Sequence, residues 1–152
     1  MTEELMKALT LTGGYTAVSL AAVGSALGTG TAGSSAIGAM KKCYAQGKQA
    51  PFLLIALAGA PLSQTIYGMI LMIFIKNQIA EKSSYWPLFL IMGIVGGLAM
   101  GVSAWYQGKA GAGACDALGE TGKGFANYLM ILGIVETVAI FALVFALMAM
   151  PS

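Results

Sequence analysis

Glu136 is the residue of this chain with the clearest chemical potential. It is a carboxylate in the middle of the apolar stretch 131-ILGIVETVAIFALVFALMAM-150, and the other nineteen residues of that stretch are uncharged. An acidic side chain at the centre of a membrane helix costs about 2.5–3.5 kcal/mol on insertion scales. Ionisable groups at such depth more often mark a path for ions than a packing role. Glu136 is therefore the first candidate functional residue.

A second set of polar groups lies on one face of a predicted helix. Four residues fall at the helical spacing i, i+3, i+4 and i+7: Ala60, Ser63, Gln64 and Tyr67. Pro61 lacks an N–H and clashes with the preceding turn, so it leaves a carbonyl free and bends the helix. Buried polar groups cost free energy unless they are paired. We therefore interpret this face as part of one site.

Gln107 adds a second amide in another apolar stretch, and Thr137 directly follows Glu136. A carboxylate surrounded by neutral oxygens suits a hard cation. One carboxylate and one monovalent cation make a neutral site, whereas a divalent ion would leave a net charge facing lipid. A proton needs only the acid, which would leave Ser63 and both glutamines without a purpose. We predict Na⁺ as the bound cation, with a proton as the alternative.

The composition indicates a membrane protein. The chain has 152 residues, of which 58% are hydrophobic and 9% are charged, and its net charge is +2. Its mean hydropathy is +0.81. A soluble domain normally has about 25% charged residues. The chain cannot cover itself with polar surface, so most of it must face lipid, and we expect no nucleic-acid partner.

The spacing of the charges predicts the number of membrane helices. Apart from Glu136, the charged residues flank four long stretches, each exceeding the ~20 residues that a spanning helix requires. The sequence thus predicts an all-α membrane protein of two tandem helical hairpins. The first hairpin is residues 1–78, with helices at about 11–40 and 52–76; the second is residues 79–152, with helices at about 87–113 and 125–149.

The lysine distribution predicts the orientation of the chain. The segment 41-KKCYAQGKQA-50 has three lysines and no acid, which favours the cytoplasmic side. Both hairpin loops are then cytoplasmic, both termini lie outside, and the start MTEELMK does not resemble a cleaved signal peptide. Cys43 and Cys115 lie near those loops, so we expect reduced thiols rather than a disulfide.

The chain contains an internal repeat. Two pairs of segments align: 25-SALGTGTAGSSA-36 with 103-SAWYQGKAGAGA-114 at an offset of 78, and 61-PLSQTIYG-68 with 133-GIVETVAI-140 at an offset of 72. In this alignment Gln64 occupies the position of Glu136. The two hairpins therefore share a design, but one has an amide where the other has a carboxylic acid.

Glycine is concentrated in the first and third predicted helices. Residues 13–38 and 88–113 contain seven glycines each, whereas residues 52–75 contain two and residues 125–150 contain one. Small residues at every fourth position let two helix backbones approach closely. The glycines predicted to pack in this way are Gly24, Gly28, Gly93, Gly97 and Gly101. We expect an inner layer made of helices one and three, an arrangement that a closed ring of hairpins would have.

These features resemble the proteolipid rotor component of V-type ATPases (the K or c subunit), in particular bacterial Na⁺-translocating members. The resemblance covers essentially the full chain, and its most specific parts are 61-PLSQTIYG-68, 107-QGK-109 and 135-VETVAI-140. It implies a Na⁺ ligand set of the Ala60 carbonyl, Ser63, Gln64, Gln107 and Glu136. It also implies that Tyr67 donates a hydrogen bond to Glu136 and holds the site shut, and we expect Thr137 in the surrounding shell.

The resemblance also implies partners. Identical subunits would form a ring in the cell membrane, in contact with lipid and with the central stalk, and would turn against a stator (the a or I subunit). The chain has eight lysines and no arginine, so an arginine that pairs with the empty carboxylate must come from the stator. No phosphate-binding G-x-x-x-x-G-K-[ST] motif occurs, so we expect no bound nucleotide and a non-catalytic role within the ATPase.

Three other interpretations are open at this point. The nearest is a proton-translocating rotor with the same carboxylate. A small four-helix multidrug antiporter would use an intramembrane Glu, but it leaves the repeat and the glycine stripes unexplained. A purely structural or pore-forming tetraspan predicts that Glu136→Gln has no effect on function.

Overall fold

The computed structural model describes residues 1–151, and all of its regular structure is helical. The six α-helices are α1 (Glu3–Ala45), α2 (Leu53–Gly59), α3 (Ser63–Asn77), α4 (Ile79–Lys82), α5 (Trp86–Thr121) and α6 (Phe125–Met148). Two short 3₁₀ turns connect them at Ala60–Leu62 and Ser83–Tyr85. Helices α2 and α3 continue one another through the first turn, so the chain has four long helical segments. The first and third, Glu3–Ala45 and Trp86–Thr121, extend beyond their predicted bounds.

Three of these segments are long and apolar enough to cross a membrane: Leu53–Asn77, Ile79–Thr121 and Phe125–Met148. The fourth segment, α1, has 43 residues, which at about 1.5 Å per residue makes it roughly 65 Å long. Its length exceeds the membrane thickness, but glycine, alanine, serine and threonine replace the large apolar residues of a typical span. The prediction of an all-helical membrane fold is confirmed, and three of the four predicted spans are found by length and composition.

Helices α1 and α5 pack side by side and run in the same direction. Their contacts advance together along both helices, from Ala17 opposite Gly97 to Gly28 opposite Gly108. A Cβ added to Gly97 would lie 2.8 Å from the carbonyl oxygen of Ala17, so only glycine permits this approach. The structure places all five of the predicted packing glycines at this contact: Gly24, Gly28, Gly93, Gly97 and Gly101.

The other two long segments cover this pair from one side. In the first hairpin α3 runs antiparallel to α1, with Gly68 opposite Ala21 and Pro61 opposite Gly28. Helix α6 packs mainly on α5 and exposes large apolar side chains such as Phe145, which is 62% exposed. In a membrane protein such a surface is suited to lipid.

The ends of α1 and α5 are joined near the predicted cytoplasmic loops. Lys42 forms an ion pair with Glu120, and this carboxylate raises the pKa of the lysine. The turn into α6 contains Gly122 and Gly124, with φ of 65° and 88°, a backbone conformation that side chains disfavour. The two cysteines, Cys43 and Cys115, are free and buried.

Candidate ion-binding site

Glu136 lies at the middle of α6. Eleven residues of the helix precede it (136 − 125) and twelve follow it (148 − 136), which is about 16–18 Å on either side at 1.5 Å per residue. The carboxylate is half-buried on the side of α6 that meets α3 and α5. Glu136 is therefore about equally far from the two ends of α6.

Both oxygens of the carboxylate accept hydrogen bonds from other helices. The hydroxyl of Tyr67 on α3 donates to Oε1 at 2.6 Å. Nε2 of Gln107 on α5 lies 3.2 Å from Oε2 and 3.0 Å from the carbonyl oxygen of Leu132, and it donates to both. Hydrogen bonds to a charged acceptor are among the stronger ones in proteins, so these donors partly compensate the charge of the acid.

The hydrogen bonds continue from Gln107 to the first hairpin. Nε2 of Gln64 donates to Oε1 of Gln107 at 2.8 Å. Oγ of Ser63 lies 3.2 Å from both Oε1 of Gln64 and the carbonyl oxygen of Ala60, and its single proton serves one of them at a time. Both glutamines have no exposed surface. Four side chains thus form one chain of hydrogen bonds that ends on the carboxylate.

The bend predicted at Pro61 is a 3₁₀ turn. Because the turn is tighter than an α-helix, the N–H of Ser63 donates to the carbonyl oxygen of Ala60, three residues earlier. The hydroxyl of Ser63 reaches the same oxygen. The Ala60 carbonyl therefore lies beside the Ser63 hydroxyl, and it already has donors within its own chain.

No positive charge lies beside Glu136 in the part of the chain that the structure describes. The ion pairs among residues 1–151 are Lys7 with Glu3 and Glu4, and Lys42 with Glu120. The donors to Glu136 are a phenol and an amide, both neutral. The site therefore provides one negative charge and several neutral oxygens.

The second hairpin matches a known protein family. Residues 90–149 match the family model of the ATP synthase C subunit. The matched segment is 60 of the 152 residues, so the match is a similarity of the second hairpin to that family. Proteins of this family form a ring that works with a separate a-type subunit. Comparison with curated proteins gives no match.

This family match covers only part of the site. It contains Gln107 and Glu136. Ser63, Gln64 and Tyr67 lie outside it, in the first hairpin, and the hydrogen bonds described above connect them to the matched segment. The site therefore consists of residues from both halves of the repeat.

One predicted residue lies apart from this cluster, and one contributor was not predicted. Thr137 is exposed, and its hydroxyl donates to the carbonyl oxygen of Ile134 on its own helix at 2.7 Å. Ser103, which sequence reasoning used only to align the repeat, donates to the carbonyl oxygen of Val135 at 2.9 Å. This bond fixes α6 against α5 next to Glu136. Its only sequence signal was a serine within a glycine-rich stripe.

Proposed function

We propose that this chain is the rotor-ring subunit of a V-type ATPase and that it carries Na⁺ on Glu136. The transported ion would be held by the carboxylate, by the side-chain oxygens of Gln64, Gln107 and Ser63, and by the Ala60 carbonyl. The observation that supports this best is the continuous chain of neutral, hydrogen-bonded amide and hydroxyl side chains that leads to one acid. These are oxygen ligands of the kind that hard cations prefer.

The neutral oxygens also favour Na⁺ over a proton. A proton would bind one carboxylate oxygen, and the Tyr67 hydroxyl at 2.6 Å already gives that oxygen a partner. The two buried amides and the Ser63 hydroxyl, which here bond to one another, would then have no part in binding the ion. A cation with several ligands uses all of them.

The proposed transport mechanism depends on whether the charge of Glu136 is neutralised. Binding of Na⁺ neutralises Glu136, so the loaded site can cross the part of the ring that faces lipid, whereas an empty carboxylate is costly there. Unloading needs a competing cation. The chain has no arginine, so this cation would be an arginine of the stator.

The remaining features of the proposal concern topology and direction. We place α1 across the membrane as the fourth span because it packs along α5, which is apolar enough to cross. The hairpin loops would be cytoplasmic and the termini outside, as the lysines at 41–48 predict. With one acid in four helices, fewer ions cross per turn, which favours a pump over a synthase.

The test is carbodiimide labelling of the purified full-length protein in detergent at fixed pH and ionic strength. Carbodiimides react with the protonated acid, so bound Na⁺ should slow labelling of Glu136. We expect protection by Na⁺ but not by K⁺, and less protection as the pH falls. The variant Glu136→Gln is the control for labelling at other positions. Labelling that follows pH alone and ignores Na⁺ would contradict Na⁺ binding and indicate a proton rotor.

A further inference from the structure

The hydroxyl of Ser103 on α5 connects two long helices. It donates to the carbonyl oxygen of Val135 on α6 at 2.9 Å, and the residue is 4% exposed. Most serine and threonine hydroxyls among residues 1–151 donate instead to a carbonyl of their own helix, as Thr16 does to Thr12 at 2.7 Å. Within the same residues, Ser35 and Ser103 are the two that donate to the backbone of another long helix.

Helix α6 depends on directional contacts of this kind because little of it is buried. Its buried residues are Leu132, Ala139 and Leu143, which form one narrow stripe. In a membrane, apolar burial gives little force between helices, because lipid tails are equally apolar, so packing and interhelical hydrogen bonds hold them together. A hydrogen bond also has a preferred direction, whereas hydrophobic contact has none. The rotation and height of α6 therefore depend on its hydrogen bonds.

Two hydrogen bonds run from side chains of α5 to the backbone of α6. Ser103 donates to Val135, and Gln107 donates to Leu132 at 3.0 Å. The amide of Gln107 also donates to the carboxylate of Glu136, so a change at the carboxylate acts on its contact with α6. The bond of Ser103 goes to the backbone and involves no proposed ion ligand. It can therefore hold α6 without competing for the ion.

The contacts of Glu136 are sensitive to the position of α6. This residue directly follows Val135, so the place of the Val135 carbonyl fixes where the carboxylate starts. The two carboxylate oxygens lie 2.6 Å from the hydroxyl of Tyr67 on α3 and 3.2 Å from Nε2 of Gln107 on α5. Because these donors belong to different helices, a movement of α6 by about 1 Å is enough to weaken one or both contacts.

We propose that Ser103 is a positioning residue that sets the affinity of the site for its ion. It holds α6 in the rotation and height at which Glu136 meets Tyr67 and Gln107. Without the hydroxyl, α6 occupies other positions for part of the time, and ion binding must first restore the productive one. The apparent affinity then falls by the fraction of molecules that hold this position. This inference rests on the proposed function, and it adds a residue that does not touch the ion.

The experiment compares Ser103→Ala with Ser35→Ala in the carbodiimide assay of Glu136. Ser35 donates to the Ala112 carbonyl at 2.7 Å, which is the same kind of contact between α1 and α5. Full-length protein in detergent is labelled across a Na⁺ titration, with K⁺ keeping the ionic strength constant. We expect Ser103→Ala to need about threefold more Na⁺ for half-protection, the factor that an average interhelical hydrogen bond contributes in a membrane. Ser35→Ala should keep the wild-type midpoint.

Two further measurements separate positioning from a purely structural contact. Without Na⁺, and at a pH where most sites are ionised, Ser103→Ala should label faster than wild type, because the displaced carboxylate loses donors that favour its ionised form. At a pH low enough to protonate every site, the two should label equally.

Conservative variants at the same position test the hydroxyl itself. Ser103→Thr keeps it, and the open groove that Ser103 lines with Val102 and Val138 has room for the added methyl, so this variant should restore the wild-type midpoint. Ser103→Cys has a weaker donor and should give an intermediate midpoint. The cysteine variant decides the question if the alanine variant does not fold.

Four results would overturn the proposal. An unchanged Na⁺ midpoint in Ser103→Ala, even with a lowered melting temperature, would make the contact purely structural, while the proposed function would stand. An equal shift in Ser35→Ala would show that loss of any interhelical bond weakens ion binding. A threonine variant that behaves like the alanine variant would show that the hydroxyl is not responsible. Absence of Na⁺ protection in wild type would overturn the proposed function together with this inference.

Discussion

The contact between Tyr67 and Glu136 allows a quantitative prediction for Tyr67→Phe. The phenol donates to Oε1 of the carboxylate at 2.6 Å. A hydrogen bond to a charged group contributes about 1.5–3 kcal/mol, and one to a neutral group about 0.5–1.5 kcal/mol. Removing the hydroxyl should therefore disfavour the ionised acid relative to the protonated acid by about 1–1.5 kcal/mol. The phenylalanine ring retains the packing that Tyr67 makes against the buried core.

In the labelling assay this difference appears as a rate. Without Na⁺, and at a pH where most sites are ionised, Tyr67→Phe should label about five- to twelvefold faster than wild type, because about 1.4 kcal/mol corresponds to a factor of ten. The matched control is Tyr106→Phe, which loses the hydroxyl of a tyrosine that is 54% exposed on α5. It should label at the wild-type rate.

The pH dependence separates this effect from simple access of the reagent. At a pH low enough to protonate every site, wild type and Tyr67→Phe should label equally, since no carboxylate remains for the phenol to stabilise. An acceleration of the same size at all pH values would mean that the hydroxyl merely shields the acid. Equal rates at high pH would refute the stabilisation inferred from the 2.6 Å contact.

Two further predictions concern the helix packing. Gly97→Ala should lower the melting temperature of the protein, because the new Cβ would be 2.8 Å from a backbone oxygen of α1 and overpacking costs about 1–3 kcal/mol. The control Gly113→Ala should not lower it, because a Cβ there has nothing within 4 Å. Equal melting temperatures for the two variants would count against the close contact at Gly97. Lys42→Gln should lower the melting temperature at neutral pH. Glu120 raises the pKa of Lys42 from 10.5. The stability that this ion pair adds is therefore complete below pH 10.5 and is lost as the pH rises through the folded-state pKa of Lys42. The melting temperatures of variant and wild type should converge only at strongly alkaline pH.

The helical fold could be predicted because it depends on simple patterns in the sequence. Long uncharged stretches gave helix positions that agree closely with Phe125–Met148 and Leu53–Asn77. The glycine stripes likewise predicted close helix contact, since only glycine lets backbones approach to this extent. The weaker point was α1, where small residues keep the helix below the hydropathy of the other three segments.

The composition of the site was more predictable than its internal order. Helical spacing grouped Ser63, Gln64 and Tyr67, and depth in the membrane singled out Glu136. Sequence does not show which end of an amide faces which neighbour, so the donation from Gln107 to Glu136 required the structure. Thr137 was predicted by adjacency in sequence, but adjacent residues on a helix point about 100° apart, and its hydroxyl binds its own helix instead.

The difference between Gln64 and Glu136 gives the duplicated chain a reason to have diverged. The amide of Gln64 donates to Oε1 of Gln107 at 2.8 Å and accepts from Ser63. An ionised carboxylate at position 64 could not donate, and it would place an oxygen against an oxygen at that distance. Two acids would also leave two charges to neutralise in one buried cluster. With an amide in the first hairpin and an acid in the second, the two halves together form one site with a single charge, which one monovalent ion can cancel.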